Sequence, residues 1–248
     1  MRGVNKLILV QFKLFMREPA AFFFTLIFPS ALLLLFGAIF GNTPDPQFDP
    51  NFGYIDQVVP AMAAIIIGTV GLMGIPVATA TAREQGWLRR YRATPMRPFT
   101  YFIADVTVYF GIAISGMILL VVLAKVVYGL RFNGDWWHVA AAFSLGALAF
   151  IAVGYVIAGL APTARVAQVI GQIAFFPMMF LSGAAMPREI MPESVRRVGD
   201  FLPLTYVVTL LQGLWQGQAW GDHLSAAAIL VVMLTVGTLI ASRVFRWE

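Results

Sequence analysis

The chain has no cysteine, only two histidines and only three lysines among its 248 residues. The missing cysteine excludes disulfides, thiolate metal sites and a cysteine nucleophile. The histidines, His138 and His223, are far apart and have no paired carboxylates beside them, so they cannot supply the three or four convergent ligands of a zinc site. Each opens an apolar stretch and reads as an interfacial residue. Lys6, Lys13 and Lys125 are not preceded by glycine or followed by serine or threonine, which rules out a phosphate-cradling loop with its lysine. Charge of either sign is scarce. Charged residues make up 12% of the chain and hydrophobic ones 60%, against roughly a quarter and a half in soluble domains. So little polar surface cannot cover a soluble particle of this length, and apolar area must face lipid.

Long apolar runs fill the place of the missing charge. A membrane-crossing helix needs about twenty mostly apolar residues, and the sequence predicts six, near 20–41, 58–82, 101–128, 138–161, 166–186 and 224–242. The first run, Ala20 to Phe40, is too long for a signal-peptide core and follows no short basic leader, so it reads as a retained span. Leu204 to Trp215 follows Pro203 and is only about twelve residues long, the length of a re-entrant or interfacial helix. Val195, Val198, Phe201 and Leu202 recur on one face of a short helix after Pro192, while Arg196 and Arg197 would meet headgroups. The loop Asn42 to Gln57, with Pro44, Pro46 and Pro50 and three aspartates, is expected to be irregular and exposed.

The basic residues set the orientation. Arg2, Lys6, Lys13, Arg17, Arg83, Arg89, Arg90, Arg92, Arg97, Arg165, Arg243 and Arg246 share one side, which the positive-inside rule makes cytoplasmic, and both termini with it. Residues 1–19 carry Leu7, Ile8, Gln11, Leu14 and Phe15 at helical spacing among basic residues, as an amphipathic helix lying in that interface does. The arginines cluster beside apolar spans rather than along a face, so the net charge of +5 is not a nucleic-acid footprint. The whole chain, 1–248, reads as one membrane domain.

The span centres are nearly bare of ionisable groups. Asp105 lies in the first turns of the third span and Lys125 near the far end of the same span, where its stem can reach the interface. Ser115 and Ser182 have no histidine at hand for hydrolysis, and Ser182-Gly183-Ala184 reads as close helix packing. Gly37 and Gly41 form a small-xxx-small pair suited to helix contact. Gln168, Gln172 and Pro177 are the polar and kinking residues of the fifth span, facing either a pathway or a neighbouring helix. Without an ion relay or a nucleotide loop, energy for any uphill transport must come from a partner.

The segment from Arg83 to Pro98 holds five arginines between two spans. Gly86 suits a turn, and Trp87, Leu88 and Tyr91 can bury a short amphipathic helix. Arg89, Arg90 and Arg92 present charge either to an acidic partner or to lipid phosphates. Pro95 and Pro98 end that helix before the third span.

Arg83-Glu84-Gln85-Gly86, then Leu88-Arg89-Arg90-Tyr91-Arg92-Ala93-Thr94-Pro95, resembles the cytoplasmic loop of the ABC-2 type permeases, the membrane subunits of exporters related to the daunorubicin-resistance permease. Phe180-Leu181-Ser182-Gly183 with Met186-Pro187, then Pro192, then Phe201-Leu202-Pro203-Leu204-Thr205-Tyr206, resembles a second motif of that family. Trp87 departs from the small polar residue of many relatives. The resemblance implies an all-α polytopic fold with six transmembrane helices, a coupling helix at 83–98 and re-entrant outer helices at 187–220. It also implies two copies of an ABC ATPase subunit and a second copy of this permease or a related one. ATP and magnesium would be bound by the ATPase, and no cofactor by this chain. Arg83, Glu84, Gly86, Trp87, Leu88, Arg89, Arg90 and Arg92 would then be coupling positions, and Gly183, Pro187, Pro203 and Tyr206 the outer gate.

The expected cargo is hydrophobic or amphipathic, such as a drug, antibiotic or lipid-like compound, because the spans offer Phe, Met and Trp surface without a charged cluster. A glycan exporter is the alternative within the family, and a channel or scaffold without an energy source the alternative outside it. The expected location is the bacterial plasma membrane.

Overall fold

The computed structural model describes residues 11–13, 15–16, 19–44, 51–87 and 98–245. Six of its helices are long and apolar enough to cross a membrane, and no strand occurs among the described residues. Helix α1 runs through Pro19–Phe22, a wide π turn at Phe23–Ile27, and Phe28–Phe40. Helix α2 (Tyr54–Glu84) holds a second π segment at Thr69–Gly74. Then come α3 (Pro98–Tyr128), α4 (Trp136–Leu160), α5 (Ala164–Leu181), the short α6 (Glu193–Gly199), α7 (Pro203–Trp215) and α8 (Leu224–Val244).

Both π segments end just before a proline, Pro29 in α1 and Pro76 in α2. A proline lacks an amide and crowds the carbonyl four residues back, so the ladder slips to a wider turn there. The two wide turns touch each other.

The centre of the fold is α2, buried along almost its whole length, whereas α1, α5 and α8 bury less than a quarter of their apolar windows. Glycines on its neighbours allow the approach. A Cβ on Gly154 of α4 would lie 2.2 Å from the Gly71 carbonyl oxygen, and one on Gly171 of α5 would lie 2.1 Å from that of Leu72. The wide turn of α2 is thus gripped on two sides at backbone distance. α8 packs along α4, with Gly237 set against Ala152.

α7 lies against the first half of α2. Its Leu204 sits beside Gly68, near the middle of α2, and at its other end Gln212 donates to the Gln57 carbonyl at 3.2 Å. Trp215 is fully buried there, with Phe132 edge-on at 4.7 Å.

The expected exposed loop ends sooner than the sequence indicates, because α2 starts at Tyr54 rather than near 58 and Asp56 is completely buried. The Asp56 carboxylate accepts from the amides of Gly53 (2.9 Å) and Arg131 (2.8 Å) and from Asn42 Nδ2 (2.9 Å). Asn42 also donates to the Tyr128 carbonyl at 3.1 Å. These bonds fasten together the ends of α1, α2 and α3. Gly37 likewise serves a contact within the chain, since the Tyr128 ring lies where its Cβ would be and the Tyr128 hydroxyl donates to the Leu34 carbonyl at 2.8 Å. The fifth helix stops at Leu181, short of 186, because the chain turns through Gly183 at φ +93°. Pro98 opens α3 rather than standing before it, a first-turn position that costs no hydrogen bond.

Candidate functional site

The last turn of α2 carries the start of the arginine-rich segment. Arg83 is half-buried, and its guanidinium donates to the carbonyl of Ala158 at 3.0 Å and to that of Ala161. Those carbonyls end α4, where unpaired acceptors and the negative end of the helix dipole favour a cation. Glu84 is exposed, and its Oε1 accepts the amide of Ala164 at 2.9 Å. That amide opens α5, where the dipole favours an anion. Thr163 adds a second cap, accepting from the Val166 amide at 3.2 Å. One Arg-Glu pair therefore joins the end of α2 to both sides of the α4–α5 turn.

The chain then reverses at Gly86, whose φ of +69° suits glycine and whose amide donates to the Arg83 carbonyl at 3.0 Å. Trp87 follows, half-buried. Leu88, Arg89, Arg90 and Arg92, and with them the expected coupling helix, lie outside the described residues, as does most of the expected N-terminal interfacial helix. Of that helix, Phe15 is buried, with its ring 6.4 Å from Phe22.

At the opposite end, Gly183 and Pro187 line a small cavity of about 70 Å³ shared with Tyr54, Gln57, Arg188 and Gln212. Arg188 folds over Gly183, pairs with Asp200 and donates to the Arg196 carbonyl at 3.2 Å. Tyr206 donates to the Asp200 carbonyl at 2.7 Å, and Pro203 opens α7. Gly183, Pro187 and Tyr206 are thus linked through Arg188 and Asp200, and Pro203 starts the helix that carries Tyr206. Ser182 is fully buried and accepts from the Ala184 amide at 3.3 Å, so Ser182-Gly183-Ala184 builds a turn, with Gly183 close to Val208 of α7.

Gln168, Gln172 and Pro177 do not join this cluster. α5 buries Ala167, Gly171, Phe175 and Met179, leaving Gln168 and Pro177 exposed and Gln172 half-buried beside that face. Phe176, on the same side as the glutamines, meets Phe24 of α1 edge-on at 6.3 Å.

The sequence does not reveal that two of its acids, Asp56 and Asp105, are buried. Asp56 carries a weak signal, an acid three residues after Gly53 at a helix start, where it can accept the preceding amide. Asp105 is also buried, taking the Tyr155 hydroxyl at 2.5 Å, and nothing in the spacing of residues 105 and 155 pairs them. Among the described residues, no three histidine or acidic side chains converge as metal ligands.

A family model described as ABC-2 type transporter matches residues 4–215. The transport permease YvfS of Bacillus subtilis is 22% identical over 205 residues, covering 82% of this chain and 81% of the relative. YbhS of Escherichia coli, named as a multidrug ABC transporter permease, is 24% identical over 82% of this chain and 54% of its own length. The inner membrane transport permease YhhJ of Escherichia coli is 24% identical over 79% of this chain and 53% of its own length. The chain therefore spans most of YvfS but about half of the other two.

Proposed function

The chain belongs to the ABC-2 type transporter family, and from that membership we propose that it is the permease subunit of an ATP-driven exporter. A pair of such subunits forms the path, and separate ATPases at the Glu84 end supply the energy. On this reading the membrane is the bacterial plasma membrane, with both termini and the arginine-rich segment on the cytoplasmic side. Leu88, Arg89, Arg90 and Arg92 contact the ATPase. Arg83, Glu84 and Gly86 hold that contact to the transmembrane helices, with Trp87 packing at its base. Gly183, Pro187, Pro203 and Tyr206 belong to the outer gate, in which α7 is re-entrant, and Gln168, Gln172 and Pro177 face the path. The cargo is hydrophobic or amphipathic, and YbhS is itself named as a multidrug permease.

The observation that carries this reading is the double attachment of Arg83 and Glu84 to the α4–α5 turn. A push on the segment after Gly86 is transmitted to α2, α4 and α5 together, and α2 contacts nearly every other long helix. The test is purification of the tagged chain from native membranes in mild detergent. A cytoplasmic ATPase recovered in stoichiometric amount is expected. Its reproducible absence contradicts the proposal.

A further inference from the structure

A cavity of about 330 Å³ opens between α3 and α8, with α4 as its floor. Phe102 and Val106 form one wall, Leu234 and Thr238 the other, and Ile151 and Tyr155 the floor. The hydroxyl of Thr238 is spent on the Leu234 carbonyl at 2.7 Å, so the cavity presents little but carbon. Two of its lining rings pack together, Phe102 edge-on to Tyr155 at 5.4 Å, and Phe245 lies edge-on to Phe102 at 4.5 Å.

Behind this apolar wall stands a carboxylate. Asp105 is 4% exposed and takes the hydroxyl of Tyr155, whose ring lines the cavity. No cation pairs with Asp105 in the described structure. A buried carboxylate without a counter-charge is costly, and such a group within a span is retained for function. Tyr155 links the two features, since a phenol that donates to a carboxylate carries a more electron-rich ring. Aromatic faces backed by negative charge attract organic cations, and here the carboxylate reaches the cavity only through the Tyr155 ring that lines it.

We propose that this cavity binds a lipophilic organic cation, whose apolar body fills the space between α3 and α8 while its charge rests on the Tyr155 and Phe102 rings against Asp105. A neutral acyl chain would fill the same space but leave Asp105 uncompensated. That the cation is cargo, taken from the cytoplasmic leaflet, rests on the exporter reading and its orientation. That the cavity binds it does not.

The test uses the full chain in lipid nanodiscs, with binding corrected for protein-free discs. Tetraphenylphosphonium should bind saturably, and tetraphenylborate, of the same shape and opposite charge, should not. Asp105→Asn should weaken phosphonium binding at least tenfold, Asp105→Glu should restore most of it, and Tyr155→Phe should give an intermediate loss. Equal binding of the two ions, unchanged affinity in folded Asp105→Asn, or no saturable phosphonium binding to the folded chain would each overturn the assignment. Should Asp105→Asn fail to fold, the comparison of the two ions on the unaltered chain decides. Failure here leaves ATPase association untouched, so the two proposals fall separately.

Discussion

Glu84 accepts the amide of Ala164 across eighty positions of sequence, at 2.9 Å. With Arg83 on the Ala158 carbonyl at 3.0 Å, this contact makes the last turn of α2 and the α4–α5 turn one unit. Glu84→Ala removes a helix cap and should cost about 1 kcal/mol. Arg83→Ala strips partly buried carbonyls of their donor and should cost about 1–3 kcal/mol. Arg83→Lys should recover only part, because an ammonium lacks the planar fork that reaches two carbonyls. Thermal unfolding in detergent gives the order.

A second prediction concerns Asp56. Asp56→Ala leaves the Gly53 and Arg131 amides and the Asn42 side chain without their acceptor in a buried place. The loss should reach about 3 kcal/mol or more, since unsatisfied buried donors carry the full desolvation cost. Asn42→Ala should cost less. Equal unfolding temperatures for Asp56→Ala and the unaltered chain would contradict this role.

The helical frame was legible in the sequence because lipid demands long apolar segments, and that demand leaves a plain mark on residues such as Ala20 to Phe40. Ends were harder. Asp56 looks like a loop acid until Asn42 and Arg131 arrive from elsewhere in the chain to satisfy it. Arg83 and Glu84 stood out by motif, yet their attachment to the α4–α5 turn depends on residues some eighty positions away. Gly37 shows the same limit, because its small size suits any neighbour and only the fold makes that neighbour Tyr128.

Glycines at the wide turn of α2 should tolerate no side chain. Gly154→Ala and Gly171→Ala each drive a methyl into a carbonyl little more than 2 Å away, and overpacking of this kind costs about 1–3 kcal/mol. Gly111→Ala is the control. Nothing lies within 4 Å of its Cβ position, in the middle of α3, so the change should stabilise the helix by about 0.5–1 kcal/mol. Unfolding temperatures should move in opposite directions for the two classes.

Orientation can be tested cleanly because the chain has no cysteine of its own. An impermeant thiol reagent applied to intact cells should label Gln47→Cys and spare Arg90→Cys. Labelling of Arg90→Cys from outside would reverse the topology read from the basic residues.

On the proposed function, the arginines after Gly86 receive the force of a separate ATPase. The direct measurement is recovery of that ATPase with a tagged variant carrying Arg89→Glu, Arg90→Glu and Arg92→Glu, alongside its level in the membrane and its export activity. Normal membrane insertion is expected, with ATPase recovery and export both reduced at least tenfold. Recovery and export at the level of the unaltered chain would contradict it, and would reduce those arginines to signals of topology.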